Sequence, residues 1–468
     1  MINLPTDFVA ALATYISQEH YTCAPADCWV YGYDNSRRHF APQAVVFAHN
    51  EQQVQTLIKL CNQYSVPLVP RGLGSGTPGG AVPIHGGVVL SFERMNQIKS
   101  IDPANRLMVV EPGVTNQTVQ IAAKAHGFFW PPDPTSSAYC TIGGNLAYNS
   151  AGPRAVKYGT PRENTLGLRA VTGDGQIIKA GVYTTKGVVG YDLTRLIIGS
   201  EGTLAVITEA TLKLTPLPPA KRTVQALYQD IHSATQAVIA LMSQPITPCA
   251  LEFMDHTAIK LVQSYSSLAI PAQTEALLMI EVDGHEETID SSYAAICHTA
   301  NNEGCLLIRQ ATTATEVSEL WQMRKSLSPA LRTLAPKKIN EDVVVPISRL
   351  SDLVEGSMQL AKQHNITIVN FGHAGNGNIH VNLLVDSDKP EEMSRAHHCL
   401  QALFDLVLSL NGTLSGEHGI GLEKQPFIRQ ELSEEVIGLM QKIKAQFDPK
   451  GILNPGKIWL VFEFNNPT

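Results

Sequence analysis

The sequence lacks the features that mark several large classes of protein. Of its 468 residues only 16% are charged and 6% aromatic, while 44% are hydrophobic, and the net charge is −7. This hydrophobic content excludes a disordered chain, and the acidic balance gives no electrostatic footprint for nucleic acid. No apolar run approaches the roughly 18 residues that span a bilayer, and the N-terminus has no basic stretch typical of a signal peptide. We therefore expect a cytoplasmic protein with no nucleic-acid partner and, from its length, more than one domain.

Cysteine is scarce and scattered along the chain. The sequence has eight cysteines, and none belongs to a C-x2-C pair. Iron–sulfur clusters and cysteine-rich zinc sites use closely spaced cysteines, so the spacing argues against both kinds of site. We expect these cysteines to be small residues of the core.

A proline-rich stretch at 215–219 marks the main boundary in the chain. Before it, residues 44–216 mix short strands, helices and glycine loops. After it, helical patterns at 231–243, 286–302 and 315–333 alternate with short apolar strands. This alternation favours an α+β domain, with a ferredoxin-like arrangement as one solution.

Three clusters of glycine and other small residues stand out in the first region. They lie at 72–80, 141–152 and 199–203. Successive backbone N–H groups in such loops form a nest for phosphate, although the first cluster alone is also compatible with a tight turn. A Rossmann site requires a helix directly after the glycine loop, and the sequence predicts no helix after the first cluster. Three such loops suggest a large ligand held by the backbone, and a dinucleotide fits better than a single phosphate.

A histidine-rich segment and a later Gly-Glu-His-Gly motif form the second informative group. His373 and His380 are seven residues apart, and Glu417 and His418 lie in the later motif. An odd separation along a strand sends side chains to opposite faces, so the intervening glycines must turn the chain if the imidazoles are to meet. Two imidazoles and a carboxylate with an open position are a common catalytic set for Zn²⁺, and also suit Mn²⁺ or Fe²⁺. Each histidine taken alone is more often a structural residue, and the glycines that flank both motifs favour the metal.

Together these blocks resemble one enzyme family, the FAD-dependent 2-hydroxy-acid dehydrogenases of the vanillyl-alcohol-oxidase/p-cresol-methylhydroxylase superfamily. That family includes D-lactate dehydrogenases, D-2-hydroxyglutarate dehydrogenases and the flavin subunit of bacterial glycolate oxidase. The resemblance covers roughly residues 20–460, through blocks at 70–77, 141–152, 199–203 and 447–455 and the two histidine motifs. It implies oxidation of a small D-2-hydroxy acid, D-lactate or glycolate, to the 2-oxo acid. Metal-assisted proton removal would accompany hydride transfer to flavin N5.

The resemblance also implies a fold and a division of the chain. The fold would be α+β, with a two-part FAD-binding domain of the p-cresol-methylhydroxylase type, a ferredoxin-like α+β substrate (cap) domain and a C-terminal helical segment. The parts would be an N-terminal helical segment at 1–35, the FAD-binding domain at 36–217, the substrate domain at 220–410 and a segment returning to the flavin at 411–468.

Roles for individual residues follow from the same resemblance. His373, His380 and Glu417 would bind a divalent metal, with zinc expected and manganese or iron as alternatives. His418 would be the base, and Arg324 would bind the substrate carboxylate in the catalytic site. The remaining substrate-binding residues would be Asn382 and Ser328. Noncovalent FAD would contact Arg71, Gly72, Gly74, Ser75, Gly76, Thr77, Pro132, Ser136, Gly143, Gly144, Asn145, Asn149, Gly152, Glu201, Gly202 and Asn454.

Two positions depart from the family pattern. Asn376 stands where the family usually has aspartate, which would weaken support of the histidines and lower metal affinity. Asn340 stands where hydroxyglutarate enzymes carry a lysine for the distal carboxylate, which favours a monocarboxylate substrate. Lys337 and Lys338 lie close to that position.

The sequence leaves the electron acceptor and two other functions open. No nicotinamide fingerprint or iron–sulfur motif is present, so the acceptor would be a quinone, a cytochrome, a flavoprotein or a separate iron–sulfur subunit. The apolar tail at 458–464 leaves peripheral contact with the inner face of a membrane open, and a homodimer is a further alternative. The rival functions are a metallohydrolase that uses His373, His380 and Glu417, and a non-catalytic flavin subunit of a larger complex.

Overall fold

A computed structural model describes residues 4–265 and 269–459. The strands are β1 (Tyr21–Thr22), β2 (Ala44–Phe47), β3 (Leu68–Arg71), β4 (Val88–Ser91), β5 (Ile98–Asp102), β6 (Leu107–Val110), β7 (Phe128–Phe129), β8 (Thr165–Thr172), β9 (Ile177–Gly181), β10 (Ala205–Lys213), β11 (Thr215–Pro216), β12 (Ala220–Tyr228), β13 (Ala250–Asp255), β14 (Ala276–Gly284), β15 (Cys305–Ala311), β16 (Lys337–Val344), β17 (Thr367–His373) and β18 (Asn378–Val385). The helices are α1 (Thr6–Tyr15), α2 (Pro25–Trp29), α3 (Glu51–Tyr64), α4 (Asn116–Lys124), α5 (Ile142–Tyr148), α6 (Ala155–Tyr158), α7 (Leu193–Ile197), α8 (Ile231–Ser243), α9 (His256–Val262), α10 (Ile289–Ala300), α11 (Ala314–Ala330), α12 (Leu350–His364), α13 (Pro390–Ser409), α14 (Ile428–Glu431) and α15 (Glu434–Phe447).

The chain divides into two compact units. Unit 1 contains the chain up to Ala151, the stretch Gly159–Leu217 and the chain from Glu417 onward. Unit 2 contains Pro218–Gly416 and the short excursion Gly152–Tyr158. The excursion is held in unit 2 by the strand β14, because Lys157 pairs with Asp283 and the Tyr158 hydroxyl donates to Asp283 Oδ2 at 2.8 Å.

The described residues of unit 1 form three sheets. A four-stranded sheet has the order β1-β2-β4-β3, and its central strand β4 runs parallel to both β2 and β3. All four residues of β4 are buried, as expected for a strand covered on both faces. A five-stranded antiparallel sheet has the order β5-β6-β10-β8-β9, and a two-stranded one pairs β11 with β7. Helices α1 and α3 bury Phe8, Leu12, Leu57 and Ile58 in the core against the first sheet.

Unit 2 is built on one seven-stranded antiparallel sheet. Its order is β15-β12-β14-β13-β17-β18-β16. Helices α9 and α11 cover one face through an apolar cluster that includes Leu227 and Phe371 of the sheet and Leu327 of α11. On the opposite face Tyr228 donates to a carbonyl of α10, and Asn370 accepts from a serine of α12. The α+β class predicted from the sequence is confirmed, and the sheet has three strands more than the simple ferredoxin-like unit.

The cysteines are core residues for the most part. All eight are free, and Cys28, Cys61, Cys140, Cys249 and Cys399 are buried. Burial raises the pKa of the Cys28 thiol to about 11, with the nearby Cys23 and Asp27 adding to the effect. Such thiols stay protonated near neutral pH, which makes them poor nucleophiles and poor metal ligands.

Within the described ranges, no helix combines the length and apolarity that crossing a bilayer requires. The predicted apolar tail falls largely beyond these ranges, since the description ends at residue 459. Membrane contact through that tail therefore stays a prediction.

Candidate functional site

The first glycine loop of unit 1 follows β3 and is shaped around Arg71. The Arg71 side chain is buried and donates to the backbone carbonyl of Tyr33. Gly74 has φ of +67°, and a Cβ at that position would overlap the Arg71 guanidinium. Arg71 therefore supports the loop from inside the unit, and the positive φ of Gly74 favours glycine at that position.

The first and second glycine loops touch. A Cβ on Gly72 would overlap the hydroxyl of Thr141, which caps α5 by accepting from the Gly144 N–H at 3.3 Å. Gly76 is different, because a Cβ there would meet only Tyr148 and Pro78, at 3.5 Å and beyond. Packing inside unit 1 does not require glycine at position 76. A ligand lying against this backbone would require it, so the loop fits the predicted dinucleotide.

The third loop is tied to the first by Asn454. Asn454 Nδ2 donates to the carbonyls of Gly80 at 2.9 Å and Glu201 at 2.8 Å. The buried Glu201 carboxylate accepts from the backbone N–H groups of Ile420 at 2.7 Å and Gly421 at 2.9 Å. Burial raises the pKa of Glu201 to about 7, against the lowering effect of these hydrogen bonds. Glu201 and Asn454 thus hold the loops together, and their contact with FAD stays a prediction.

The remaining predicted cofactor residues divide between the units. Asn149 has φ of +56°, and its Oδ1 accepts from the Thr160 hydroxyl at 2.9 Å. Asn145 is buried, and its Oδ1 accepts from Asn116 at 3.1 Å. The other unit 1 members are Ser75, Thr77, Pro132, Ser136, Gly143 and Gly202. Gly152 instead begins the excursion that belongs to unit 2.

In unit 2 the two histidines of the first motif meet across a turn. β17 ends at His373, residues 374–376 form a 3-10 turn, and Gly377 at φ of +73° leads the chain into β18. His380 pairs with Phe371 on the neighbouring strand, and the His373 and His380 ring centroids are 5.3 Å apart. The turn brings the imidazoles together, which uninterrupted strand geometry would prevent.

A carboxylate joins the two imidazoles. One ring nitrogen each of His373 and His380 and one carboxylate oxygen of Glu417 lie within 4.8 Å of one another. Asp342 lies opposite His380 in the sheet and accepts from the Gly416 N–H at 3.0 Å, which fixes the residue before Glu417. Two imidazoles and one carboxylate at this spacing fit a divalent metal of the zinc type.

The buried Glu252 of β13 was missed by the sequence prediction. One of its oxygens accepts from His373 Nδ1 at 2.6 Å, and the other accepts from Arg324 Nε at 2.5 Å. Burial by itself would raise the pKa of Glu252, but the charges of His373 and Arg324 lower it overall. The sequence signal was a single acidic residue inside an apolar strand.

Glu252 bears on the expectation attached to Asn376, which itself stays a prediction. Asn376 is exposed, whereas the carboxylate that contacts His373 comes from β13. Because Nδ1 of His373 contacts Glu252, Nε2 is the ring nitrogen that would bind a metal. A neutral residue at position 376 therefore does not deprive His373 of carboxylate support.

The predicted substrate residues lie on α11 and on the face of the sheet that bears His373 and His380. Arg324 is buried, its guanidinium lies 5.0 Å from the Phe371 ring, and its Nε is occupied by Glu252. Asn382 is fully buried and donates to the carbonyls of Val369 and His380, and its Oδ1 has no hydrogen-bond partner among the described residues. Ser328 is exposed, one turn beyond Arg324 on α11. His418 follows Glu417 directly and is half-buried.

The strand β16 contains Asn340, the residue on which the prediction of a monocarboxylate substrate depends. Asn340 pairs with Asn382, so the two amides share the face that bears His380. Lys338 lies on this face too, and its ammonium donates to the Ser328 hydroxyl at 2.5 Å. Lys337 alternates with it and points to the opposite face.

The glycine loops fit a dinucleotide, and the group of His373, His380 and Glu417 fits a divalent metal, as in a cofactor-dependent enzyme. Residues 42–181 match the family described as FAD binding domain, and residues 217–458 match FAD linked oxidases, C-terminal domain. The chain belongs to the FAD-linked oxidase family, and it is an enzyme. The metallohydrolase alternative gave the glycine loops no role, and the match to two FAD families excludes it.

Curated relatives extend over almost the whole chain. The glycolate oxidase subunit GlcD of Bacillus subtilis (strain 168) is 39% identical, covering 94% of this chain and 94% of the relative. A D-lactate dehydrogenase of Archaeoglobus fulgidus is 35% identical, covering 93% and 96%. Among solved structures, p-cresol methylhydroxylase with substrate bound has a TM-score of 0.78 at 19% identity, covering 97% of this chain and 96% of that one. That structure shares the fold.

Proposed function

We propose that the protein is an FAD-dependent dehydrogenase that oxidises a small D-2-hydroxy acid, D-lactate or glycolate, to the 2-oxo acid. The observation that carries the proposal is the grouping of His373, His380 and Glu417 with a buried Arg324 held by Glu252. Such a group offers binding partners for both the hydroxyl and the carboxylate of a 2-hydroxy acid. The names of the relatives, a glycolate oxidase subunit and a D-lactate dehydrogenase, support the same substrate class.

Two bound groups would supply the difficult chemistry. His373, His380 and Glu417 would hold the divalent metal, with zinc favoured and manganese or iron as alternatives, and the unit 1 loops would hold noncovalent FAD. When bound, the metal would acidify the substrate hydroxyl, as zinc lowers the pKa of bound water from 15.7 to about 7, and FAD would accept the hydride.

The protein's own residues orient the substrate and move the proton. The terminal nitrogens of Arg324 suit a carboxylate, because the planar guanidinium can donate two parallel hydrogen bonds. Asn382 Oδ1 is a buried acceptor able to receive a substrate hydrogen bond. His418 would receive the hydroxyl proton, since imidazole is the side chain that most often serves as a general base.

The balance of charge favours a monocarboxylate. Ionised Glu252 neutralises Arg324, and Glu417 would neutralise one of the two charges of a divalent metal. Lys338 and Asp342 on the same face are ordinarily of opposite charge and cancel, so one positive charge remains for a single substrate carboxylate. Asn340, a neutral residue on the same face, adds no cation for a second carboxylate.

A D-2-hydroxyglutarate substrate is the second candidate. It is favoured by one observation, the position of Lys338 on the face that bears His380 and Asn382. The bond from Lys338 to Ser328 would have to open or be shared for this lysine to bind a distal carboxylate. A D-2-hydroxyglutarate dehydrogenase of Stutzerimonas stutzeri is 32% identical over 92% of this chain.

Anaerobic flavin reduction tests the proposal. The FAD-loaded protein is mixed without oxygen with D-lactate, glycolate, D-2-hydroxyglutarate or, as a control, L-lactate, and the visible flavin band is followed. We expect rapid bleaching by D-lactate or glycolate, slower bleaching by D-2-hydroxyglutarate and little by L-lactate. A metal-loaded yellow protein that none of these acids bleaches would favour the non-catalytic flavin subunit instead.

We infer that the electrons leave through another protein or a quinone. Relatives are named as subunits of glycolate oxidase, which supports a complex in which a partner carries the next redox centre. A cytoplasmic address, with peripheral binding to the inner face of a membrane, and a homodimer belong to the same proposal. Turnover of the isolated chain with an artificial acceptor, but not with oxygen, is the expected result.

A further inference from the structure

Glu252 occupies a position that is costly for a carboxylate. It lies within β13, between β14 and β17, with 0% of its surface exposed. Removing a carboxylate from water is strongly unfavourable unless both of its oxygens find donors, and preferably charged ones. Here each oxygen has one such donor, and the two donors come from elements far apart in sequence, β17 and α11.

Those two donors belong to different parts of the proposed site. His373 is a proposed metal ligand, and Arg324 is the proposed partner of the substrate carboxylate. We propose that Glu252 is a positioning residue that sets the ring nitrogen His373 presents to the metal and the edge Arg324 presents to the substrate. The inference rests on the proposed function and adds to it a residue that touches neither metal nor substrate.

The effect on His373 follows from the hydrogen-bond chemistry of imidazole. A carboxylate can only accept, so the Nδ1 that faces Glu252 must carry the proton, and the Nε2 of a neutral ring is then a lone pair. An amide at position 252 could present its NH₂ group to Nδ1 instead. The neutral ring would then carry its proton on Nε2, where it blocks metal binding.

The effect on Arg324 follows from the geometry of guanidinium. Glu252 occupies Nε, so the outer edge formed by the two terminal nitrogens is left for a ligand. The Phe371 ring at 5.0 Å limits tilting of the guanidinium plane. Without the Nε bond, the fork would lose the orientation that a bidentate contact needs.

A second buried carboxylate provides a matched control. Glu281 of β14 lies on the same face of the sheet and is 3% exposed. It accepts from Thr223, Lys221 and the indole of Trp321, which is also on α11. Glu252 and Glu281 therefore both fasten α11 to the sheet, but Glu281 contacts no proposed metal or substrate residue.

Zinc affinity and substrate KM separate a positioning role from a structural one. FAD-loaded wild type, Glu252→Gln, Glu252→Asp and Glu281→Gln are stripped of metal and titrated with Zn²⁺ against a chromophoric chelator. We expect Glu252→Gln to bind zinc about 10- to 100-fold more weakly. It should also show a raised KM for the hydroxy acid and an unchanged flavin content. Glu252→Asp keeps the charge and should recover part of both losses, while Glu281→Gln should lower the melting temperature without changing zinc affinity or KM.

Three outcomes would overturn the inference. Wild-type zinc affinity and KM in Glu252→Gln would show that Glu252 does not position the site. Equal losses in Glu281→Gln would show that any carboxylate anchoring α11 has the same effect. Wild-type protein that binds no zinc would overturn the proposed ligand set and the role of Glu252 together, whereas the first two outcomes leave the ligand set intact.

Discussion

The two candidate sites in this chain differ in whether backbone or side-chain groups form them. In unit 1 the site is formed by backbone, and the side chains of Arg71, Glu201 and Asn454 turn inward to hold glycine loops in place. In unit 2 the site is formed by side chains of α11 and of one face of the sheet, where the buried carboxylate of Glu252 contacts both Arg324 and His373, and Glu417 follows the last residue of the unit. A backbone site is sensitive to added bulk, and a side-chain site is sensitive to lost charge or donors. A substitution should therefore be able to impair one site while the other site keeps its ligand affinity.

The largest effect is expected from removing a proposed metal ligand. We expect His380→Ala to lose the metal and to keep its flavin. Its kcat should fall at least about 1,000-fold, because metal activation of the substrate contributes several kcal/mol. Metal content, flavin absorbance and steady-state rates measure the three properties. His398→Ala, an exposed histidine of α13, is the control and should behave like wild type. Loss of flavin from His380→Ala would contradict the separation of the sites.

The next effect is expected at the carboxylate-binding arginine. Arg324→Lys keeps the charge but removes the planar fork and the Nε contact with Glu252. Since a charge-assisted hydrogen bond contributes about 1.5–3 kcal/mol, kcat/KM should fall about 10- to 100-fold, mostly through KM. Steady-state kinetics with D-lactate and glycolate measure the change. Arg332→Lys, at an exposed position soon after α11, is the control, and an unchanged KM in Arg324→Lys would place the substrate carboxylate elsewhere.

A smaller effect is expected from adding bulk to the backbone-built site. Gly76→Val should weaken FAD binding by about 10-fold while the metal site keeps its affinity, because the added side chain would occupy the space of the ligand. Fluorescence titration of the stripped protein with FAD measures this affinity. Gly438→Ala, in the open middle of α15, should leave FAD binding unchanged and slightly stabilise the helix. Wild-type FAD affinity in Gly76→Val would place the cofactor away from the first loop.

The smallest effect is a pH dependence of stability in unit 1. The folded-state pKa of Glu201 is about 7, raised from 4.5, so the folded protein holds a proton there that the unfolded chain releases. Stability from this group is present below about pH 4.5 and is lost as pH rises toward 7. Glu201→Gln removes the titrating group and keeps one of the two oxygens that accept from Ile420 and Gly421, so it should flatten this part of the profile. The fall in melting temperature between pH 5 and 8 should be smaller by a few degrees in this variant than in wild type.

Thermal unfolding of FAD-free protein between pH 5 and 8 checks this sign. Glu209→Gln is the control, since that carboxylate is more exposed and pairs with Lys99. A Glu201→Gln profile parallel to that of wild type would show that Glu201 is ionised in the folded state throughout this range.

The sequence predicts local features of the fold well. The helical pattern at 231–243 coincides with α8, and the predicted strands near 250, 276 and 305 begin where β13, β14 and β15 begin. The glycine spacing also predicts the turn that brings His373 and His380 together, because a positive φ at Gly377 is a local property. Apolar periodicity and glycine placement carry this information directly.

Features set by sheet register were not predictable. Glu252 and His373 are 121 residues apart, and they become neighbours only because β13 pairs with β17 in one register. The excursion at 152–158 belongs to unit 2 through contacts with Asp283, and nothing in its composition signals that assignment. Glu201 and Asn454 were expected to contact FAD, and their role in holding the loops depends equally on tertiary contacts.

The most direct test of the two-site account is chelation of the FAD-loaded protein under anaerobic conditions. We expect the purified protein to hold one flavin and one divalent metal per chain. A strong chelator should remove the metal and leave the protein yellow, D-lactate or glycolate should then no longer bleach the flavin, and added Zn²⁺ should restore bleaching. Bleaching at the full rate in metal-free protein would contradict the account, because substrate activation would then not depend on His373, His380 and Glu417.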